Sequence, residues 1–231
     1  MTREYKFGRQ LLKLDLKSEA DESVFREIFL DRDYMVVEDI VEEASSCILD
    51  IGAHIGLFSM YVRGVNENVK VFAYEPEPKN FETLKRHLKE NHVGNVFAKN
   101  VAVTAKDGGA VLYLSEDSHN HSIWNFFKKS LKEIKISSVS MGRIFDGDLR
   151  KHGIDFCDLV KMDCEGAEFE ILGSMSEGLF KKIGAFYIEY HECLEGKTHQ
   201  ELVRILQRNG FKTKVTESRH DKRFGFILAY R

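Results

Sequence analysis

Near the start of the chain apolar residues recur at helical spacing: Val24, Phe25, Ile28 and Phe29, then Met35, Val37, Ile40 and Val41 beyond the polar Asp31-Arg32-Asp33 break. This predicts helix over 19–45 and an N-terminal helical cap occupying 1–46. The period then changes. CILDI, from Cys47 to Ile51, is a short apolar run closed by Gly52, and the helical stretch IGLFSMYV and a second apolar run from Val69 to Glu75 follow. An amphipathic helix from Lys79, carried by Phe81, Leu84 and Leu88, leads to a third parallel strand in NVFAKNVAV. After Gly108-Gly109, AVLYLSE and IKISSVSM read as short strands on either side of the polar stretch SHNHSIWNFFKKS. DLVKMD is a buried strand ending at Asp163, EGAEFEILGSM a helix, Ala185 to Glu192 a strand, and HQELVRILQRNG a helix closing at Gly210. FKTKVTE and FGFILAYR form a terminal antiparallel hairpin around SRHDKR. Strands alternating with helices predict an α/β fold with a doubly wound, mostly parallel, Rossmann-like sheet and ligands at the carboxyl ends of its strands.

Two prolines and no Gly/Ser linker in 231 residues leave no composition shift to mark a boundary, so one domain is expected, with 47–231 as its core. Apolar residues at 43% and charged residues at 31% exclude a largely disordered chain. Thirty-four Lys and Arg against 37 Asp and Glu leave a net charge of −3, with no global pull toward nucleic acid or an anionic membrane. Cys47, Cys157, Cys164 and Cys193 form no C-x-x-C pair, which fits reduced thiols better than a disulfide or zinc framework. MTREYKFGRQ has no apolar leader core and no run approaches about 18 apolar residues, so no membrane insertion and a cytoplasmic location are expected.

Three strand ends carry chemistry. Asp50-Ile51-Gly52-Ala53-His54-Ile55-Gly56 is a D-x-G-x-x-x-G loop feeding a helix, where glycine permits close backbone approach and helix-start N–H groups favour a carboxylate. It lacks the three-glycine turn that serves a dinucleotide pyrophosphate. S-adenosylmethionine has no pyrophosphate; its ammonium suits Asp50 and its carboxylate suits the loop amides. Glu75 lies 19 residues beyond Gly56, where doubly wound folds place an acceptor for ribose hydroxyls, and Pro76 and Pro78 stop the strand there. Lys161-Met162-Asp163-Cys164-Glu165-Gly166-Ala167-Glu168 sets three carboxylates within six residues at another strand end. Helix-dipole stabilisation accounts for Glu168 and Glu170 but not for Asp163.

CILDIGAHIGLFSMY, YEPEPKNFETLKRHLKEN, DLVKMDCEGAEFEIL and YIEYHE, in this order and spacing, resemble the signature blocks of the FkbM family of S-adenosylmethionine-dependent methyltransferases, over about residues 47 to 192. The resemblance implies a class I methyltransferase fold and methyl transfer to a hydroxyl of a sugar, polyketide or other small-molecule or glycolipid acceptor. It places Asp50, Gly52, Ala53, His54 and Gly56 around the methionine part, Glu75 on the ribose, and Val101 and Ala102 beside adenine. For His54, ligand contact and plain solvent exposure stay equally open.

Glu189 and His191 alternate on one strand face near its end and are candidate substrate or metal ligands. His121 and Trp124, in the polar insert, are candidate acceptor contacts, with surface exposure of the one and local core packing of the other as the plain alternatives. His87, His92, His152, His199 and His220 read as surface residues. Deprotonating an acceptor hydroxyl needs a base, and Asp163, Glu165 and His191 are the catalytic candidates. A divalent ion held by Asp163, Glu189 and His191 is the less favoured expectation, since two acidic strand ends do not specify a coordination number. The competing readings are an RNA methyltransferase, an NAD-dependent oxidoreductase and a non-catalytic nucleotide-binding regulator. The acidic balance, the missing third glycine and the three acids at the catalytic edge count against them in turn. No nucleic-acid partner is expected.

Overall fold

Leu12, Leu14 and Leu16 are buried while Leu11 and Lys13 are exposed, a period of two that belongs to a strand rather than a helix. In the computed structural model, which describes residues 2–8, 10–114, 132–192, 196–218 and 223–231, this alternation builds a hairpin. Strand β1 (Thr2–Phe7) pairs antiparallel with β2 (Gln10–Asp15), so strands precede the helical part of the expected cap. The helical part itself runs over 19–43. It opens at α1 (Glu19–Phe25), whose Ser18 and Asp21 form a reciprocal capping box, and continues through a π-helical turn, Arg26–Leu30, and a 3-10 turn, Asp33–Val37, to α2 (Glu38–Glu43).

The core elements then follow in chain order: β3 (Cys47–Ile51), α3 (Leu57–Val65), β4 (Lys70–Tyr74), α4 (Pro78–Glu90), β5 (Val96–Lys99), β6 (Ala102–Val103), β7 (Gly108–Leu114), β8 (Lys132–Val139) and α5 (Met141–Arg143). A π-helical turn, Ile144–Leu149, leads to β9 (Cys157–Met162), α6 (Glu168–Ser174), α7 (Glu177–Phe180), β10 (Ile183–His191), α8 (His199–Arg208), β11 (Lys212–Glu217) and β12 (Phe224–Tyr230). Seven strands form the main sheet in the order β11-β12-β10-β9-β3-β4-β5. All neighbours are parallel except β12, which runs against both β10 and β11.

The expected third strand divides. Lys99 ends β5, the Asn100 side-chain amide donates to the carbonyls of Glu75 and Pro76, and Ala102–Val103 leave the main sheet to pair with β8. A separate three-stranded sheet, β6-β8-β7, results.

Strand alternation sends Leu49, Phe72, Val160 and Phe186 to one face of the main sheet, where α6, α8 and the turn after α5 cover them. Ile48, Val71, Leu159 and Tyr187 face the other way, onto α3, α1 and the leucines of β2. The N-terminal segment is therefore a structural layer of that face. His87, expected at the surface, is buried at its seam. Its Nε2 accepts from the Asp15 amide at 2.8 Å and its Nδ1 lies 2.9 Å from the Ile55 carbonyl, so a neutral ring protonated at Nδ1 ties β2 to the glycine loop. Burial holds its pKa below the ordinary histidine value.

Candidate active site

The chain runs from β3 outward to β5, then returns to β9 on the other side of β3, so the crevice between the carboxyl ends of β3 and β9 is the topological switch point. Gly52 stands there with φ +73°, and a Cβ on it would fall 1.7 Å from the Asp163 carbonyl oxygen. Only glycine lets the two strand ends meet backbone to backbone. The Asp163 amide also donates to the Ile51 carbonyl at 3.1 Å, closing the junction.

One cavity opens above this junction. Gly52, Ala53, His54 and Glu75 line one side, Ala102 and Val103 another, and Lys161, Asp163 and Glu165 the side opposite the glycine loop. Glu27 and Tyr34 of the N-terminal segment close it from above. Asp50, Gly56 and Val101 lie outside this lining. Asp50 is fully buried behind the loop, where Ser59 Oγ donates to its Oδ2 at 2.7 Å and Lys161 Nζ sits 3.5 Å from its Oδ1. Gly56, with φ +86°, opens α3 against Leu84, and Val101 packs into the core beside the lining residue Ala102. His121 and Trp124 lie outside the described residues.

The loop amides are largely occupied. Gly52 and Ala53 N–H both donate to the Tyr74 carbonyl at 3.0 Å, and His54 N–H donates to Glu75 Oε2 at 2.7 Å. Glu75 takes its second bond at Oε1 from the Glu77 amide, 2.8 Å away, and burial still pushes its carboxyl up to about 7. Glu77 in turn caps α4 by accepting from the Asn80 amide at 2.6 Å. His54 is neither free nor fully exposed: its Nε2 lies 3.6 Å from Asp21 Oδ1, tying the loop to α1.

Lys161 holds the opposite wall. Its ammonium donates to the Gly52 carbonyl at 2.7 Å and lies 3.6 Å from Asp163 Oδ2. Burial alone lowers such a pKa, but Asp163 and Asp50 outweigh it and keep the ammonium charged. Behind Asp163, His191 Nε2 faces Asp163 Oδ1 at 3.9 Å and Glu165 Oε2 at 3.5 Å, while Nδ1 faces the buried Glu168 at 3.3 Å. Burial disfavours the charged ring, yet the carboxylates of Glu165, Glu168 and Glu189 raise its pKa well above the ordinary value. Burial pushes Glu165 up to about 8 and Glu27 up to about 7, Asp163 adding to both. Acids outnumber bases here, and the site favours a cation.

The family model for the methyltransferase FkbM domain matches residues 50–213. The chain belongs to the FkbM family of methyltransferases. The methyltransferase is 26% identical over 213 residues to Methyltransferase 1 of Beauveria bassiana (strain ARSEF 2860), covering 84% of this chain and 82% of that protein. It is 24% identical over 220 residues to the 31-O-demethyl-FK506 methyltransferase FkbM of Streptomyces tacrolimicus, covering 84% and 82%. The crystal structure of Methyltransferase FkbM from Methylobacillus flagellatus KT shares its fold, with a TM-score of 0.56 at 18% identity over 80% of this chain and 44% of that one. The protein is thus an S-adenosylmethionine-dependent methyltransferase of class I fold. No helix among the described residues is long and apolar enough to cross a membrane.

Sequence reasoning missed Lys161, Glu27 and Tyr34 as wall residues and Glu168 as the partner of His191. Lys161 carried a readable signal: it is the one charged residue inside an apolar strand run and shares a strand face with Asp163. Glu27 and Tyr34 carried none, because only the fold brings the N-terminal segment over the crevice.

Proposed function

We propose that this methyltransferase methylates a hydroxyl oxygen of a small-molecule or glycan acceptor, with the cofactor along the Gly52–Glu75 side of the cavity and the acceptor at Asp163 and Glu165. The observation that carries this reading is the backbone contact between Gly52 and Asp163, which makes the glycine loop and the acidic strand end two lips of one cavity. The donor set fits the cofactor's chemistry. Glu75 is a buried carboxylate in the wall with lone pairs left for two ribose hydroxyls, and the excess of acids suits a ligand carrying an ammonium and a sulfonium. Because the Gly52, Ala53 and His54 amides already have partners, the N–H groups at the start of α3, at Leu57 and Phe58, are better placed to donate to the methionine carboxylate.

When bound, S-adenosylmethionine supplies a methyl carbon on a positively charged sulfur. Lys161 fixes the Gly52 carbonyl and the Asp163 carboxylate, and so the distance between the lips. Asp163 orients the acceptor hydroxyl. Glu165 would take the hydroxyl proton as the methyl group passes from the bound cofactor to the oxygen, and would release that proton to solvent. A base works best with a pKa near the working pH, and such help is worth about 10²- to 10⁴-fold. A hydroxyl acceptor is supported by the name of the relative that acts on 31-O-demethyl-FK506. The test is tritiated methyl incorporation across sugars, polyketides and lipid headgroups. Transfer to oxygen that falls in Asp163→Asn and Glu165→Gln supports the reading, whereas transfer only to nitrogen or carbon, or wild-type rates in both variants, overturns it.

A further inference from the structure

We infer that Asp163, Glu189 and His191 form a binding site for one divalent metal ion of the Mn²⁺ type. The three come from two neighbouring strand ends, Asp163 just past β9 and the other two on β10, and each directs one ligand atom into a group whose members all lie within 4.8 Å of one another. Around a six-coordinate ion with bonds of about 2.1–2.2 Å, adjacent donors stand about 3 Å apart and opposite donors about 4.3 Å apart. The observed spread therefore needs a closure of at most about 0.5 Å between opposite donors and at most about 1.8 Å between adjacent ones, within reach of side-chain rotation.

The imidazole gives the site more structure than a cluster of surface acids has. His191 is 3% exposed, and its Nδ1 is held by Glu168, which is wholly buried and whose same oxygen also accepts the Cys164 amide at 2.8 Å. A carboxylate on the far ring nitrogen is the arrangement that orients a ligating histidine, and here it leaves Nε2 directed at Asp163 and Glu165. A second observation is independent of those distances. The other oxygen of Glu168, Oε2, is buried with no hydrogen-bond partner among the described residues, the mark of a pocket short of positive charge. Asp163, Glu165, Glu168 and Glu189 converge on this single ring, while Lys161 is already shared between Asp50 and Asp163. One imidazole with two carboxylates is a mixed nitrogen and oxygen set that suits Mn²⁺ better than an all-oxygen Ca²⁺ cage or a thiolate site.

The position also says what the ion is for. Asp163 lines the cavity above the strand junction, whereas Glu189 lines an adjoining opening between the N-terminal helical turn and the start of β12, with Glu27 bordering both. Open coordination positions would face the acceptor oxygen, lowering its pKa and leaving Glu165 to take the proton. This catalytic role rests on the hydroxyl-acceptor reading above; metal binding itself does not.

The experiment uses the full chain stripped with EDTA and titrated with Mn²⁺, free ion being counted by its solution electron paramagnetic resonance signal. One Mn²⁺ per chain is expected. Glu189→Gln and His191→Gln should abolish tight binding, Glu168→Gln should weaken it about 10- to 100-fold, and Glu82→Gln, on the exposed face of α4, should leave it unchanged. Nitrogen modulation in the pulsed spectrum of the wild-type complex should identify an imidazole ligand, so the result stands even where a variant fails to fold. Absence of stoichiometric binding, binding without nitrogen coupling, or binding undiminished in the folded Glu189 and His191 variants overturns the site. S-adenosylhomocysteine binding measured on the same protein separates failure of the metal site from failure of the methyltransferase reading.

Discussion

Glu75 is the buried carboxyl group in the glycine-loop wall of the cavity. Its ordinary value of 4.5 rises to about 7 in the ligand-free fold because burial outweighs its two backbone hydrogen bonds. Between those values the folded protein binds more protons than the unfolded chain. The contribution of Glu75 to stability is therefore fully present below about pH 4.5 and is lost as pH rises through about 7, a change of up to about 3 kcal/mol. Glu75→Gln removes this dependence, so the melting temperature of the variant relative to wild type should climb from pH 5 to pH 8; a constant difference would refute the assignment. Glu75→Ala should also weaken S-adenosylhomocysteine binding by about 1.5–3 kcal/mol for each charge-assisted bond lost, measured by calorimetry. Gly52 fails differently. An added methyl meets the Asp163 carbonyl and must take up a left-handed backbone, so Gly52→Ala should cost about 2–4 kcal/mol in urea denaturation and abolish cofactor binding. Gly94→Ala, where a Cβ meets nothing within 4 Å, is the control and should stay near wild type. Both Glu75 and Gly52 were legible in the sequence because their residue types are demanded by one strand end each. Asp50 was legible as a strand-end acid but not as buried, since whether such an acid faces a ligand or a lysine on the neighbouring strand depends on Lys161, which the sequence places 111 residues later.

At the level of elements, period and punctuation carried most of the reading. The buried parallel strands, with their continuous apolar runs, and α4, with Pro78 in its first turn, fall where the pattern put them. The hairpin β1–β2 was missed because its alternation is short and heavily charged, and because the helical spacing that follows invites one label for the whole segment. The three-stranded sheet was only half legible, since the departure of β6 from β5 is set by Asn100 bridging to the next strand's end, a contact no local pattern encodes. The hairpin's place in the core makes a clear prediction. Leu14 is fully buried against the sheet while Leu11 is 57% exposed on the same strand. Leu14→Ala should cost about 2–5 kcal/mol and Leu11→Ala less than about 0.5 kcal/mol in chemical denaturation. Equal effects would mean that the N-terminal strands sit on the fold without belonging to its core.

Across the whole molecule, the site is a consequence of strand order. The switch between β3 and β9 opens a crevice that no local segment contains, and the N-terminal layer, tied down by His87 and by the aromatic cluster of Tyr5, Phe25 and Phe29, brings Glu27 and Tyr34 over it. The cavity joins three parts of the chain that lie far apart in sequence: the glycine loop, the acidic strand end and the N-terminal layer. A ligand that binds only the folded state stabilises it by mass action, by about 2.7 kcal/mol at a hundredfold excess over Kd. For a domain of this size each kcal/mol moves the melting temperature by about 2–4 °C, so saturating S-adenosylhomocysteine should raise it by about 5–10 °C. NAD should leave it unchanged, because the D-x-G-x-x-x-G loop lacks the glycine pattern for a pyrophosphate and its amides at Gly52, Ala53 and His54 are already bonded to Tyr74 and Glu75. The same shift should shrink in Glu27→Gln if the N-terminal layer closes over bound ligand, and should be lost in Gly52→Ala if the two lips cannot meet. A melting curve moved by NAD and indifferent to S-adenosylhomocysteine would overturn the placement of the cofactor along the Gly52–Glu75 wall.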